Sequence, residues 1–195
     1  MMEVFLSAFL KKDECFLIVV DIQERLHTAM EDQLKDIYVK NSVTLIETAK
    51  LCQIPIIVSE QYPKGLGPTI ADVAGHLEGI PRHEKLFFSC YRDEGIKKAI
   101  KSTGKKVAVI IGIEAHVCVM QTALDLFNDG YRVVIASDAV CSRRAHDRAT
   151  SLDAMARLGV LVYPTETIAF MFMEKAGTDL FKKLSGLFQV TALSP

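Results

Sequence analysis

The chain has 195 residues and a mass of 21.6 kDa, a size for one compact domain rather than two. Half of its residues are apolar, enough for a sizeable core without disulfide or metal staples. With 23 Lys and Arg against 24 Asp and Glu, the formal net charge is −1, which argues against a general nucleic-acid binder and its strongly basic face.

The amino-terminal MMEVFLSAFLKK carries Glu3 and no basic start, so it lacks the layout of a secretory signal; without Arg it is a poor transit peptide. The first predicted strand is Phe16–Asp21 (FLIVVD), followed by an amphipathic stretch over Leu34–Cys52 that predicts a helix. A second strand, Ile54–Ser59 (IPIIVS), leads into Glu60–Gly79, where Pro63, Gly65, Gly67, Pro68, Gly75 and Gly79 predict a long loop with at most a short helix from Thr69. Such loops are more often functional than accidental. A short strand is expected near Pro81–Glu84, then a helix over Glu94–Ser102 and a strand over Lys106–Ile113 (KVAVIIGI). The remainder alternates in the same way: helix Val117–Asp129, strand Tyr131–Ser137 (YRVVIAS), helix Asp147–Leu158, strand Gly159–Tyr163 (GVLVY), and one or two helices from Thr165.

These strands are continuous apolar runs rather than alternating ones, the pattern of a sheet covered on both faces. Asp129-Gly130 and Leu158-Gly159 supply helix stop signals before the last two strands. The expected fold is a three-layer α/β/α domain with a mostly parallel sheet of about six strands. Runs such as Phe16–Val20 and Val107–Ile111 are too short to span a membrane. Five cysteines (Cys15, Cys52, Cys90, Cys118, Cys141) lack paired spacing, and no N-x-Ser/Thr sequon occurs. A reducing intracellular compartment follows, the cytoplasm first and the mitochondrion as the alternative.

In parallel sheets of this kind ligands bind beyond the carboxyl ends of the strands. Three reactive side chains map there: Asp21 ends the first strand, Lys85 follows the short third one, and Cys118 lies where the fourth hands over to a helix. A helix N-terminus and a nearby lysine would both favour the Cys118 thiolate, and a carboxylate could accept its proton. The alternatives are ordinary ones. Cys118 as a small buried hydrophobe, Asp21 as a turn cap and Lys85 as a solvated surface group would each suit their residue types.

DIQERL at 21–26, EKLFFSCY at 84–91 and GIEAHVCVMQTALDLFNDGYRVVIASDAVCSR at 112–143 resemble the three signature blocks of the isochorismatase-like cysteine hydrolases. SEQYPKGLGPT at 59–69 resembles the loop of the isochorismatase domain-containing branch. The resemblance covers residues 15–170 of a domain expected to fill 1–195, with 171–195 as a C-terminal helical extension. It implies a Rossmann-like fold and a catalytic triad of Asp21, Lys85 and Cys118. It also implies a cis peptide between Ile113 and Glu114, and an oxyanion hole formed by the backbone N–H groups of Glu114 and Cys118. The implied activity is hydrolysis of a C–N bond in a small amide-like molecule through a Cys118 thioester. The alternatives are a catalytically weak or silent member that acts through protein partners, and a flavodoxin-like cofactor-binding domain.

One departure bears on cofactors. Nicotinamidases of this superfamily carry a metal-binding Asp-x-His after the second strand, where this chain has Glu60 and Tyr62 and no histidine. A lone carboxylate does not make a divalent site, so neither metal nor other cofactor is expected, and nicotinamide is disfavoured as substrate. Gln23, Leu26, Gln61, Tyr62 and His116 are the candidate pocket residues, and Cys90 is placed near the crevice. Asp138 is expected to cap a turn. The partners expected are a small-molecule substrate and further copies of the chain, with no nucleic acid and no membrane. Phe170-Met171-Phe172-Met173 suits a subunit interface and ordinary core packing equally well.

Overall fold

Six parallel strands form one sheet in the order β3-β2-β1-β4-β5-β6. They are β1 Cys15–Val20, β2 Ile56–Gln61, β3 Arg82–Lys85, β4 Val107–Ile113, β5 Arg132–Cys141 and β6 Leu161–Tyr163. The structure is a computed structural model that describes residues 8–188. The amino-terminal residues 1–7 and the end of the expected C-terminal extension, 189–195, lie outside the described residues.

Every residue of β1 and β4 is buried, and their side chains alternate between two cores. Leu17, Val19, Val109 and Ile111 face one side, with Leu45 and Ile46 of α2 (Asp32–Leu51) and Ile168 and Phe172 of α8 (Thr165–Met173). Phe16, Ile18, Ala108 and Ile110 face the other, with Ile96 and Ile100 of α5 (Glu94–Ser102), Leu126 of α6 (Met120–Asn128) and Met155 of α7 (Ala145–Arg157). Both faces of the sheet are therefore covered, which is why the strands read as unbroken apolar runs.

Three short helices, α1 (Glu24–Thr28), α3 (Pro63–Leu66) and α4 (Ala71–Ala74), punctuate the loops, and α9 (Asp179–Ser185) follows α8. The stretch expected as one long loop after β2 is thus more ordered than its Pro and Gly content suggested. Met173 and Phe172 pack into the core while Phe170 stays exposed, so most of the apolar segment near the C-terminus serves the fold. Asp138, expected to cap a turn, lies within β5 and bridges two elements instead: its Oδ1 accepts the backbone N–H of Thr165 at 2.8 Å and the Thr165 hydroxyl at 2.7 Å, tying β5 to the start of α8. Among the described residues no helix is long and apolar enough to cross a membrane.

The strand order reverses between β1 and β4, because the chain runs outward through β2 and β3 and then returns to β4 beside β1. Loops leaving neighbouring strands diverge at such a point and open a crevice. Gly112 lets the two strands meet there. A Cβ at this position would lie 2.1 Å from the Val20 carbonyl oxygen, and its φ of +117° is one that L side chains rarely adopt.

Candidate active site

Asp21 leaves β1 in the left-handed region, with φ 49°. Its backbone N–H donates to Ser59 O at 3.1 Å and its carbonyl accepts from Gln23 N–H at 2.7 Å. This tight turn aims a fully buried carboxylate toward the crevice. The Ser59 hydroxyl donates to Asp21 Oδ1 at 2.7 Å, and the Lys85 ammonium donates to Oδ2 at 2.7 Å. Lys85 sits at the end of β3, in register with Gln61 on β2. Its Nζ also donates to Gln61 Oε1 at 2.7 Å and to the carbonyls of Phe88 at 3.0 Å and Phe87 at 3.2 Å. Both side chains of the ion pair are inaccessible to solvent.

Cys118 lies in a π-helical turn, Ala115–Val119, between β4 and α6. Single π-turns of this kind recur at functional sites. The Ile113–Glu114 peptide that precedes the turn is cis. The thiol lines a cavity of about 220 Å³ together with Leu26, Gln61, Leu66, Phe88, Glu114, Val117 and Arg143. The structure thus brings Asp21, Lys85 and Cys118 together from three separate strand ends.

The electrostatics differ from the sequence expectation in one respect. Burial pushes the Cys118 thiol well above its ordinary value, and the Asp21 charge and hydrogen bond add to that; Lys85 opposes it without prevailing. The resting group is therefore a thiol, not the thiolate that helix-end and lysine arguments suggested, because dehydrating an anion outweighs one already-paired cation. Burial works against the Lys85 ammonium, but Asp21, Cys90 and Cys118 more than offset it, so its pKa is raised and it stays charged. The site is a buried Lys85–Asp21 ion pair facing a thiol whose pKa burial raises.

Of the five candidate pocket residues, Leu26 and Gln61 line the Cys118 cavity and three do not. Gln23 is fully buried as a backbone clamp, its Nε2 donating to the carbonyls of Gly67 at 2.7 Å and Gln61 at 3.0 Å while its Oε1 accepts Gln61 N–H at 2.7 Å. Tyr62 lines a different depression, with Pro63, Glu84, Lys85, Leu86 and Phe87. His116 points into a groove against α7, where its Nδ1 lies 2.9 Å from the Ser142 hydroxyl, because the π-turn directs it away from Cys118.

Glu60 is also committed elsewhere: its Oε1 accepts the Thr69 backbone N–H at 2.8 Å and the Thr69 hydroxyl at 2.6 Å, closing the loop after β2. Among the described residues no three His, Cys, Asp or Glu side chains converge as a metal site.

Sequence reasoning missed Leu66, Phe88, Val117 and Arg143 as cavity lining. Arg143 pairs with buried Glu114, Nε donating to Oε2 at 3.0 Å and the Arg143 backbone N–H to the same oxygen at 3.2 Å. Its signal was present only as a cation immediately after the apolar β5, in the CSR of the third block.

This geometry can be set beside known proteins. Isochorismatase domain-containing protein 1 of Salmo salar is 36% identical over 174 residues, which is 88% of this chain and 60% of that protein, so this chain spans less than two thirds of that relative's length. The solved structure of MAR1 ribonuclease from Caenorhabditis elegans is 31% identical with a TM-score of 0.86, covering 96% of this chain and 98% of that one. A structure from Escherichia coli, described as an octameric hydrolase of unknown specificity, is 25% identical with a TM-score of 0.87, covering 93% of this chain and 89% of that one. Residues 15–167 match the isochorismatase domain, so the chain belongs to the isochorismatase family.

Proposed function

We propose that this protein is a cysteine hydrolase that cleaves the C–N bond of a small amide-like molecule, with Cys118 as nucleophile, Asp21 as general base and acid, and Lys85 as the fixed cation of the pair. The observation that carries the reading is the solvent-excluded Asp21–Lys85 pair beside a protonated thiol on the wall of a cavity sized for a small molecule.

An amide carbonyl entering the cavity meets the Cys118 thiol on its wall. Asp21 takes the thiol proton as sulfur bonds to the carbonyl carbon, and the carbonyl electron pair moves onto oxygen. The backbone N–H groups of Glu114 and Cys118 hold that oxyanion, and a single well-placed donor of this kind contributes about 3 kcal/mol to the transition state. As the oxygen's electron pair returns, the C–N bond breaks and the departing nitrogen takes the proton from Asp21, leaving a thioester. Water then gives a proton to Asp21 and bonds to the carbonyl carbon. The carbon–sulfur bond breaks, the thiolate recovers the proton, and the acid leaves. Lys85 stays an ammonium throughout and limits the charge swing as Asp21 changes state. The scheme includes no metal and no other cofactor.

The name of the Caenorhabditis elegans relative would suggest RNA cleavage. The net charge of −1 and a cavity whose one arginine is already paired with Glu114 favour a small neutral or weakly charged ligand over a polyanion.

The test is ammonia or amine release from a panel of small primary and secondary amides by the wild type and by Cys118→Ala. Loss of turnover in Cys118→Ala, together with a hydroxylamine-trapped acyl group on Cys118 of the wild type, is the expected result. Full turnover by Cys118→Ala on any substrate of the wild type would remove the covalent step.

A further inference from the structure

Two buried groups beside the site take no part in that scheme. Ser59 lies near the end of β2, beside Val20 in the sheet register, and Cys90 begins a short 3-10 turn, Cys90–Arg92, after β3. The Cys90 backbone N–H donates to the Thr122 hydroxyl of α6 at 2.9 Å, which fixes the turn against the helix. Its thiol donates to Ser59 Oγ at 3.3 Å, and Ser59 Oγ donates to Asp21 Oδ1 at 2.7 Å. Both residues are excluded from solvent.

The direction of this chain is set by its ends. An ionised carboxylate only accepts, so the single hydroxyl proton of Ser59 goes to Asp21. Burial pushes the Cys90 thiol up to about 11, so it keeps its proton and occupies the hydroxyl's lone pair as donor. Ser59 therefore has its proton directed to Asp21 by the group behind it.

We infer that Ser59, backed by Cys90, is a positioning residue for the hydrolysis: it holds the Asp21 carboxylate between Lys85 and Cys118 and sets the pH range over which Asp21 can take the thiol proton. The inference rests on the reading of Asp21 as the base for Cys118. The groups that face the carboxylate are the Lys85 ammonium at the end of β3, the Cys118 thiol of the π-turn and the Ser59 hydroxyl of β2, with Cys90 acting through Ser59. Removing the hydroxyl leaves the Lys85 cation and the Cys118 thiol in place and takes away the one donor to Oδ1 that β2 supplies. A carboxylate with one donor fewer holds its proton to higher pH.

The experiment uses the intact protein and iodoacetamide as the probe. The rate of Cys118 modification is followed by peptide mass spectrometry across pH, on the wild type and on Ser59→Ala, Ser59→Thr, Cys90→Ala and Asp21→Asn. Base-assisted alkylation falls on the acid side as the carboxylate protonates. In Ser59→Ala that limb moves up by about one pH unit, the size expected for losing one hydrogen bond to a buried carboxylate. Ser59→Thr, which keeps the hydroxyl, restores the wild-type limb, and Cys90→Ala shifts it upward by less than Ser59→Ala. A merely structural role for Ser59 would lower stability without moving the limb. If Ser59→Ala fails to fold, Ser59→Cys supplies a weaker donor of similar size and should show a smaller upward shift. An unmoved limb in whichever of the two folds overturns the inference. Asp21→Asn separates the two claims. If it abolishes the acid limb while the Ser59 variants leave it unmoved, only the inference fails; if it leaves the limb intact, the assignment of the base fails.

Discussion

Replacing Lys85 by Met preserves most of the side-chain length and removes the ammonium from a site closed to bulk solvent. In the wild type that ammonium serves Asp21 Oδ2, Gln61 Oε1 and the carbonyls of Phe87 and Phe88. The substitution strips the cation from a carboxylate that has no solvent exposure and keeps only the neutral Ser59 hydroxyl and Cys118 thiol as partners. Breaking one side of a buried pair costs about 3–5 kcal/mol, mainly from the uncompensated charge that remains. That is a large share of a domain's roughly 5–15 kcal/mol. At about 2–4 °C per kcal/mol for a chain of this size, the melting temperature should fall by about 10 °C. Urea unfolding and calorimetry at pH 7 read both quantities. The double variant Lys85→Met/Asp21→Asn should recover part of the loss, since no charge is then stranded. The dependence on pH has a definite sign. The Lys85 pKa is raised above its ordinary 10.5 in the fold, so its contribution is complete below that value and is lost only as pH rises through the higher folded-state value. The stability gap between wild type and Lys85→Met should therefore narrow on the far alkaline side as the Lys85 contribution is lost. A single variant within about 1 kcal/mol of wild type, or strictly additive losses in the double variant, would refute the buried-pair account.

Alkaline stability offers a second test. Burial pushes Cys15 to about 12 and Cys90 to about 11, and it moves Cys118 further still, against 9.0 for an ordinary thiol. Above that value the unfolded chain releases protons that the folded chain retains, so stability present below pH 9 drains away as pH rises. The loss is about 1.4 kcal/mol per thiol by pH 10, or about 4 kcal/mol for the three. Guanidinium titrations from pH 7 to 10 measure it, and a flat profile would contradict it. Gly112→Ala should destabilise by about 3 kcal/mol or more, since a Cβ 2.1 Å from the Val20 carbonyl forces β1 from β4. It should also slow iodoacetamide modification of Cys118 by parting the strands that bear Asp21 and the π-turn. Gln23→Ala leaves the Gln61 N–H and the Gln61 and Gly67 carbonyls without their partner and should cost about 3 kcal/mol, with faster amide exchange over residues 61–67. Unchanged exchange there would show that Gln23 is not the clamp of the loop.

The strands were legible because burial on both faces leaves an unbroken apolar run, as in FLIVV before Asp21 and VAVIIGI before Glu114. The loop after β2 was less so. Pro63 and the glycines around it mark a break in regular structure, yet they do not reveal that Glu60 would close the loop on Thr69 or that Gln23 would tie it back to β1. His116 illustrates another limit: two residues from Cys118, it reads as a neighbour of the thiol, and a single π-turn sends it to the opposite groove. Ser59 carried little signal, because a small polar residue near a strand end has many ordinary explanations, whereas Cys90 was placed near the crevice by its spacing from Lys85 but not tied to Ser59.

By itself the sequence determined the layering, the identity of the chemically able side chains and their placement at one edge of a parallel sheet. These follow from local periodicity, strand ends and block spacing, which lie in consecutive residues. The tertiary structure alone decided that Asp21, Ser59, Lys85, Cys90 and Cys118 share one buried network, and that burial raises the Cys118 thiol. Those properties depend on register between strands far apart in the chain and on the exclusion of water, and both exist only once the sheet is assembled.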